Sequence, residues 1–310
     1  MELLLLILGI GAVAGLVGVG GGSGDDDDTV GADAPAPTDE GTGAADLITG
    51  TPFDDVIFGR QGSDTITGDI GNDYLDGNAD DDEVFGDIGD DSVFGGAGDD
   101  LLGGGTGNDF LRGGDGDDTL RGGAGNDVLE GASNADFLEG DGGNDTLRGG
   151  PGKDYLTGNL GADSLEGGPG NDTLVGLVGD FDTAPTSDAD GGDILEGWQG
   201  ADFIVMGAGD NAWGEFATTS ADNAGDTFVS GLWASGNPPT VHDYDGVNDA
   251  LVLYYDPAIV AAPTVTVVQT MSGSDVIWNV GLDGDTLMRV DVGASGIVVT
   301  PSDIMLMTPV

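Results

Sequence analysis

An aliphatic residue stands at every ninth position from Ile48 to Leu174, fifteen times without a slip in register. Two places before each stands an aspartate, from Asp46 and Asp55 to Asp172. The residues flanking the aliphatic position are mixed: Thr65, Glu83, Arg112, Glu130, Ser164. Successive residues of a strand face opposite sides, so such a triplet points its aliphatic residue inward and both neighbours outward. Glycine-rich stretches separate the triplets. The whole unit, from Gly41 to Val175, reads Gly-Gly-x-Gly-x-Asp-x-U-x, with U aliphatic. Its cleanest copies are Gly113–Arg121 and Gly122–Glu130. Glycine tolerates positive φ, so paired glycines permit a tight turn that exposes backbone carbonyls. The pattern predicts short strands, glycine turns and a core one residue deep. No single repeat can bury its apolar face alone, so the repeats must stack.

This nonapeptide resembles the repeat of RTX (repeats-in-toxin) calcium-binding proteins, over about half of the chain. The resemblance implies an all-β fold, a parallel β-roll or β-solenoid. Each Gly-rich hexad would be a turn and each x-U-x triplet a strand. Two repeats would make one coil, so turns alternate between two edges. It also implies Ca²⁺ between stacked turns of one edge, held by the position-6 aspartates and by backbone carbonyls. Same-edge turns are then 18 residues apart. One edge carries Asp46, Asp64, Asp82, Asp100, Asp118, Asp136, Asp154 and Asp172; the other carries Asp55, Asp73, Asp91, Asp109, Asp127, Asp145 and Asp163. Up to about 13 inter-turn sites follow from these two stacks. After an insertion within 176–192, two further copies add Asp193 and Asp202. The 21 residues from Asp172 to Asp193 read as two repeats plus three extra residues. The candidate ligands run from Asp64 and Asp73 to Asp193 and Asp202. The glycine-complete turns ending at Asp100, Asp109, Asp118, Asp127 and Asp172 are expected to be tightest, followed by Asp73, Asp91 and Asp163. The turns Gly50–Asp55 and Gly131–Asp136 lack later glycines, and Lys153 sets a cation beside Asp154.

Charge sharpens this picture. Acidic residues outnumber basic ones 58 to 6, for a formal net charge of −52. A disordered acidic segment, a solvated salt-tolerant surface and a cation-loaded solenoid compete to explain it; the strict aliphatic period favours the last. Nucleic acid is excluded as a partner, because its binding needs basic patches. With no Cys and one His, soft metals lack ligands. Carboxylates and carbonyls favour Ca²⁺, which accepts a roomy, irregular oxygen cage better than Mg²⁺. Without metal, stacked carboxylates repel across one strand spacing, so folding is expected to depend on calcium. The family passes unfolded through a type I secretion channel and folds outside, which implies an extracellular or cell-surface location here.

On the outward faces, Arg112, Glu130, Arg148 and Glu166 recur at 18-residue spacing, as do Arg121 and Glu139. These predict charge ladders of alternating sign. Phe58 and Phe94 share an outward position and predict a small apolar patch.

Four regions result: a hydrophobic segment at 1–24, an acidic and Pro-containing linker at 25–40, the roll at 41–206, and a C-terminal β cap at 207–310. Residues 3–20 are all apolar or Gly, enough for a helix that barely spans a membrane. A membrane anchor, a cleaved signal and a buried segment all fit them. In the cap, strands are expected at Val241–Leu253, Thr264–Gln269, Val276–Leu282, Thr286–Val292 and Ile297–Thr300. The order Val241, Asp243, Tyr244, Asp249, Leu251, Leu253 resembles the cap of serralysin-type β-rolls, which implies a C-terminal secretion signal. There is no HExxH, GxSxG or GxxxxGK[ST], and His242 is the only histidine, so no enzyme is expected. The sequence reads as a secreted or surface-attached calcium-binding protein with a structural or adhesive role. The alternative is a polysaccharide-binding or accessory module of a secreted hydrolase system, with cell-surface polysaccharide or surface proteins as partners.

Overall fold

The computed structural model describes residues 39–177, 192–214, 224–231, 238–242, 244, 248–254, 265–272, 275–282, 285–291, 299 and 301–307. The hydrophobic segment and most of the linker lie outside these residues. Among the described residues no helix is long and apolar enough to cross a membrane.

Consecutive strands alternate between two sheets, and within each sheet the repeats pair in parallel. The register fixes the stack. Leu111 pairs with Leu129 and Leu129 with Leu147 in one sheet, while Leu102, Leu120 and Leu138 align in the other. The chain therefore makes one full coil every two repeats. The inward aliphatic residues are fully buried from Ile66 to Leu174, and Ile48, in the first rung, is 8 % exposed.

The strands are longer than the expected triplets. Phe110–Asp115 and Thr119–Ala124 each span six residues and include both leading glycines of the next repeat. Ladder pairing continues there, with Gly123 opposite Gly105. The inward–outward alternation runs on with it, so position 1 faces inward two places after the aliphatic residue. A side chain has no room there. A Cβ built on Gly113 would lie 2.1 Å from Oδ2 of Asp118. The first glycine thus leaves its inward slot to the aspartate of its own repeat.

The insertion also differs from expectation. Leu165 pairs with Leu195 and Leu174 with Ile204, each 30 residues apart. One repeat plus twelve residues separates Asp172 from Asp193, rather than two repeats plus three. The cause is visible in the sequence. A repeat continued in phase from Gly176 would put Phe181 at the aspartate position and Thr183 at the inward one. Neither residue can fill its role.

Parallel pairing runs on past Met206. Asn211–Trp213 and Thr240–Val241 extend one sheet, and Thr227–Gly231, Ala250–Tyr254 and Ile304–Met307 extend the other. Phe228, Leu251 and Ile304 continue the inward column. The run expected as one strand over Val241–Leu253 is therefore divided between the sheets. Val265–Ser272, Asp275–Leu282 and Asp285–Asp291 form an antiparallel meander on the first sheet, covering three of the expected cap strands. Of Ile297–Thr300 only Val299 is described, and it is buried.

The outward ladders form. Arg148 lies 3.4 Å from both Glu130 and Glu166, Arg121 lies 3.4 Å from Glu139, and Arg112 lies 3.9 Å from Glu130. The arginines are about half exposed, so each pair stabilises the stack by roughly 0–1 kcal/mol. The aromatic patch is larger than Phe58 and Phe94 alone. Tyr74 and Phe110 enter from neighbouring strands, giving a run Phe58–Tyr74–Phe94–Phe110 with centroid distances of 5.8, 5.1 and 5.7 Å.

Candidate metal ladder

Each position-6 aspartate sits where the turn re-enters the strand, and its two carboxylate oxygens have separate tasks. Oδ1 accepts a hydrogen bond from the backbone N–H of the preceding same-edge aspartate. Asp82 N donates to Asp100 Oδ1 at 2.8 Å, Asp91 N to Asp109 Oδ1 at 2.8 Å, and Asp100 N to Asp118 Oδ1 at 2.9 Å. The chain of bonds crosses the insertion, from Asp163 N to Asp193 Oδ1 at 2.9 Å and from Asp172 N to Asp202 Oδ1 at 2.8 Å. All fifteen candidate ligands, Asp64 to Asp202, lie in these two columns and are buried.

Oδ2 is the chemically telling atom. In Asp64, Asp73, Asp82, Asp91, Asp100, Asp109, Asp118, Asp127, Asp136, Asp145, Asp154 and Asp172 it is buried and makes no hydrogen bond. Leaving a charged acceptor buried and unsatisfied is costly, so such an atom calls for a cation or a proton.

Backbone oxygens also point from one turn towards the next. A Cβ on Gly116 would lie 1.9 Å from the carbonyl oxygen of Gly98, and one on Gly114 2.0 Å from that of Gly96. Both residues also have positive φ, 142° and 132°. Glycine at positions 2 and 4 therefore lets the carbonyls of one turn point at the next. The turn Gly131–Asp136 reaches the same form without those glycines, because Ala132 and Asn134 take φ of 93° and 80°. Lys153 is exposed at the tip of the turn that ends at Asp154.

The donor set is thus oxygen only: carboxylates from stacked turns and the carbonyls between them. Among the described residues no three His, Cys, Asp or Glu side chains converge on one point. The site is a gap between turns, repeated along the stack, and such a set fits Ca²⁺.

Burial pushes the carboxyls of Asp100, Asp109, Asp136, Asp145 and Asp172 up to about 7. The ladder N–H pulls the other way, and the neighbouring carboxylates of Asp82 and Asp118 add to the rise at Asp100. Asp73, Asp82, Asp118 and Asp154 rise to about 6 for the same leading reason.

Two features escaped the sequence reading. The first is a second ladder at position 5, on the exposed turn tips. Asp90 N donates to Asn72 Oδ1 at 3.0 Å, Asn108 N to Asp90 Oδ1 at 2.7 Å, and Asn126 N to Asn108 Oδ1 at 2.9 Å. It runs opposite to the position-6 ladder, and its signal was the recurrence of Asp or Asn at a position taken as free. The second is the continuation to Asp210, Asp226 and Asp249. Their Oδ1 atoms accept from Asp193 N, Asp202 N and Asp226 N at 2.8, 3.0 and 3.1 Å. The paired leading glycines have gone there, but an Asp-x-apolar triplet survives in Asp226-Thr227-Phe228 and Asp249-Ala250-Leu251.

A family model described as RTX calcium-binding nonapeptide repeat (4 copies) matches residues 40–75, 67–102, 76–111, 103–138, 112–147, 139–174 and 188–212. These spans cover more than half of the chain. No curated protein matches it. Among solved structures it is similar to the extracellular lipase LipA from Serratia marcescens, at 16% identity and a TM-score of 0.22, covering 79% of this chain and 45% of that one. The chain therefore spans less than half the length of that lipase. Repeats of this family bind Ca²⁺. With its nonapeptides, its aspartate columns and its parallel stack, the chain belongs to the family of RTX calcium-binding nonapeptide-repeat proteins.

Proposed function

We propose that this chain is a secreted or surface-attached calcium-binding protein, without enzymatic activity, whose roll folds on extracellular Ca²⁺ and serves as a structural or adhesive module. One observation carries the reading: twelve stacked aspartates, Asp64 to Asp154 and Asp172, each bury a carboxylate oxygen that makes no hydrogen bond. The fifteen aspartates from Asp64 to Asp202 would hold the ions, together with carbonyls of positions 2 and 4. Bound calcium supplies positive charge in each gap. The chain supplies preformed oxygen cages through its glycines and a fixed carboxylate angle through the Oδ1 bonds. Affinity in the range of extracellular modules, ~10⁻⁴ to 10⁻³ M, would leave the chain unliganded in a low-calcium cytoplasm. Equilibrium dialysis tests the proposal. Several calcium ions per chain, with magnesium unable to displace them, is the expected result. Binding of fewer than two ions, or equal binding of magnesium, would sink it.

The second reading, a polysaccharide-binding or accessory module, draws on the aromatic run. A shallow groove beside Phe94 is floored by Gly96, Gly113 and Gly114 and edged by Asp76, Arg112, Asp115 and Ser133. Aromatic faces with hydrogen-bonding neighbours suit sugar rings. On this reading the calcium-loaded chain is retarded on an immobilised neutral glucan column, and Tyr74→Ala and Phe94→Ala elute early. Equal elution of all three proteins refutes it.

A further inference from the structure

The aspartate columns are longer than the run of open carboxylates, and the excess lies at the ends. Asp46 and Asp55 head the two columns. Oδ2 of Asp46 accepts from Thr42 N at 2.6 Å and from Thr42 Oγ1 at 2.8 Å. Oδ2 of Asp55 accepts from Thr51 N at 2.6 Å and from Thr51 Oγ1 at 3.0 Å. Both threonines stand at position 2, where the best repeats have glycine. Near the other end, Oδ2 of Asp210 accepts from Gly207 N at 2.6 Å. The same oxygen is buried and unbonded in Asp64, Asp73 and ten further aspartates between these clamps.

The position of the threonine clamps has a physical reason. A metal gap needs two stacked turns, and among the described residues no turn of the repeat precedes the first aspartate of either edge. In the rung before Asp55, Asp39 stands opposite Ile57, so the aliphatic column has already ended. The carboxylate of Asp55 is buried there, and that of Asp46 half-buried, with no cation to meet it. A hydroxyl and an amide from its own turn satisfy it instead.

Resting on the calcium reading above, we infer that Thr42, Thr51 and the Gly207 amide act as stand-ins for a cation, so that Asp46, Asp55 and Asp210 hold no calcium through Oδ2 and mark both ends of one loaded column, Asp55 to Asp210, and the head of the other. The threonines thereby set where loading stops. The two N-terminal turns are closed by the chain itself and need no ion.

Native mass spectrometry of the full chain refolded in calcium, paired with equilibrium dialysis, tests this. Asn keeps the Oδ1 acceptor of the ladder and removes the negative charge. Asp46→Asn, Asp55→Asn and Asp210→Asn should retain the wild-type number of ions, whereas Asp100→Asn should lose at least one. Loss of an ion from any of the three clamped variants overturns the inference. The wild type answers even where a variant fails to fold. Seventeen ladder aspartates lie outside the clamps, the fifteen from Asp64 to Asp202 with Asp226 and Asp249, so a wild-type count above seventeen also overturns it. A wild-type count of zero is a different failure, and it defeats the calcium reading together with this one.

Discussion

Chelating calcium from the folded chain should abolish most of its far-UV β signal, and returning calcium to about millimolar should restore it cooperatively. The expectation follows from what each repeat has to offer. One buried aliphatic side chain contributes about 1.5–3 kcal/mol. Against it stands the backbone entropy of ordering all nine residues that carry it. Ladder hydrogen bonds and side-chain pairs narrow that deficit, but each rung also stacks a buried carboxylate over another. Two such charges one strand spacing apart, ~4.8 Å, repel by roughly 3–4 kcal/mol at an effective dielectric of 20. A divalent ion in the gap reverses that sign and satisfies the orphaned Oδ2. Because every rung rests on its neighbours, the transition is expected to be cooperative along the stack. Magnesium, which demands near-octahedral geometry and sheds water reluctantly, should not substitute. A β spectrum that persists in chelator would overturn the coupling. So would a chain that stays disordered at about 10 mM calcium, well above the weakest affinity expected of such sites.

The columns that make the roll were legible because they recur at fixed phase. Leu120 and Asp118 announce their environments by being the same kind of residue in every copy. What was not legible falls into two kinds. Phase alone is blind to whole periods: 21 residues leave the same remainder whether they hold two repeats or one, so the insertion before Asp193 could not be placed by counting. Only the pairing of Leu165 with Leu195 decides it. The second kind is what an apparently free position does in three dimensions. Asn72, Asp90 and Asn108 differ in charge yet offer the same Oδ1 to the next turn. Thr51 looked like a lost glycine, and its hydroxyl and amide instead close the first turn of its edge. Glycine at position 1 reads as turn chemistry in the sequence. In the fold it is part of the strand, excluded from bearing a side chain by the Oδ2 atom above it.

That same atom makes acid a partial substitute for calcium. In the unfolded chain these aspartates titrate near their ordinary 3.8, whereas burial lifts Asp100, Asp109, Asp136, Asp145 and Asp172 to about 7 in the folded, metal-free roll. Between those values the folded state binds more protons than the unfolded one, so its stability rises as pH falls. The penalty is full above about pH 7 and is gone below about pH 4. This is the reverse of ordinary acid denaturation, where salt-bridged carboxylates have depressed pKa values and resist protonation. Chelated protein should therefore gain β signal as pH is lowered from above 7 towards 4. Calcium must displace those protons, so over the same window loading the acid-folded roll should release protons and need more calcium, whereas the calcium needed to fold the chain should not rise. The sequence pI of about 4.1 sets the lower limit, since vanishing net charge favours association. Sedimentation velocity alongside circular dichroism separates folding of single chains from aggregation. A monomeric chelated chain that stays disordered down to pH 4.5, or an acid-folded chain that releases no protons on loading calcium at pH 5, would show that the buried oxygens are satisfied by something other than a proton or a cation.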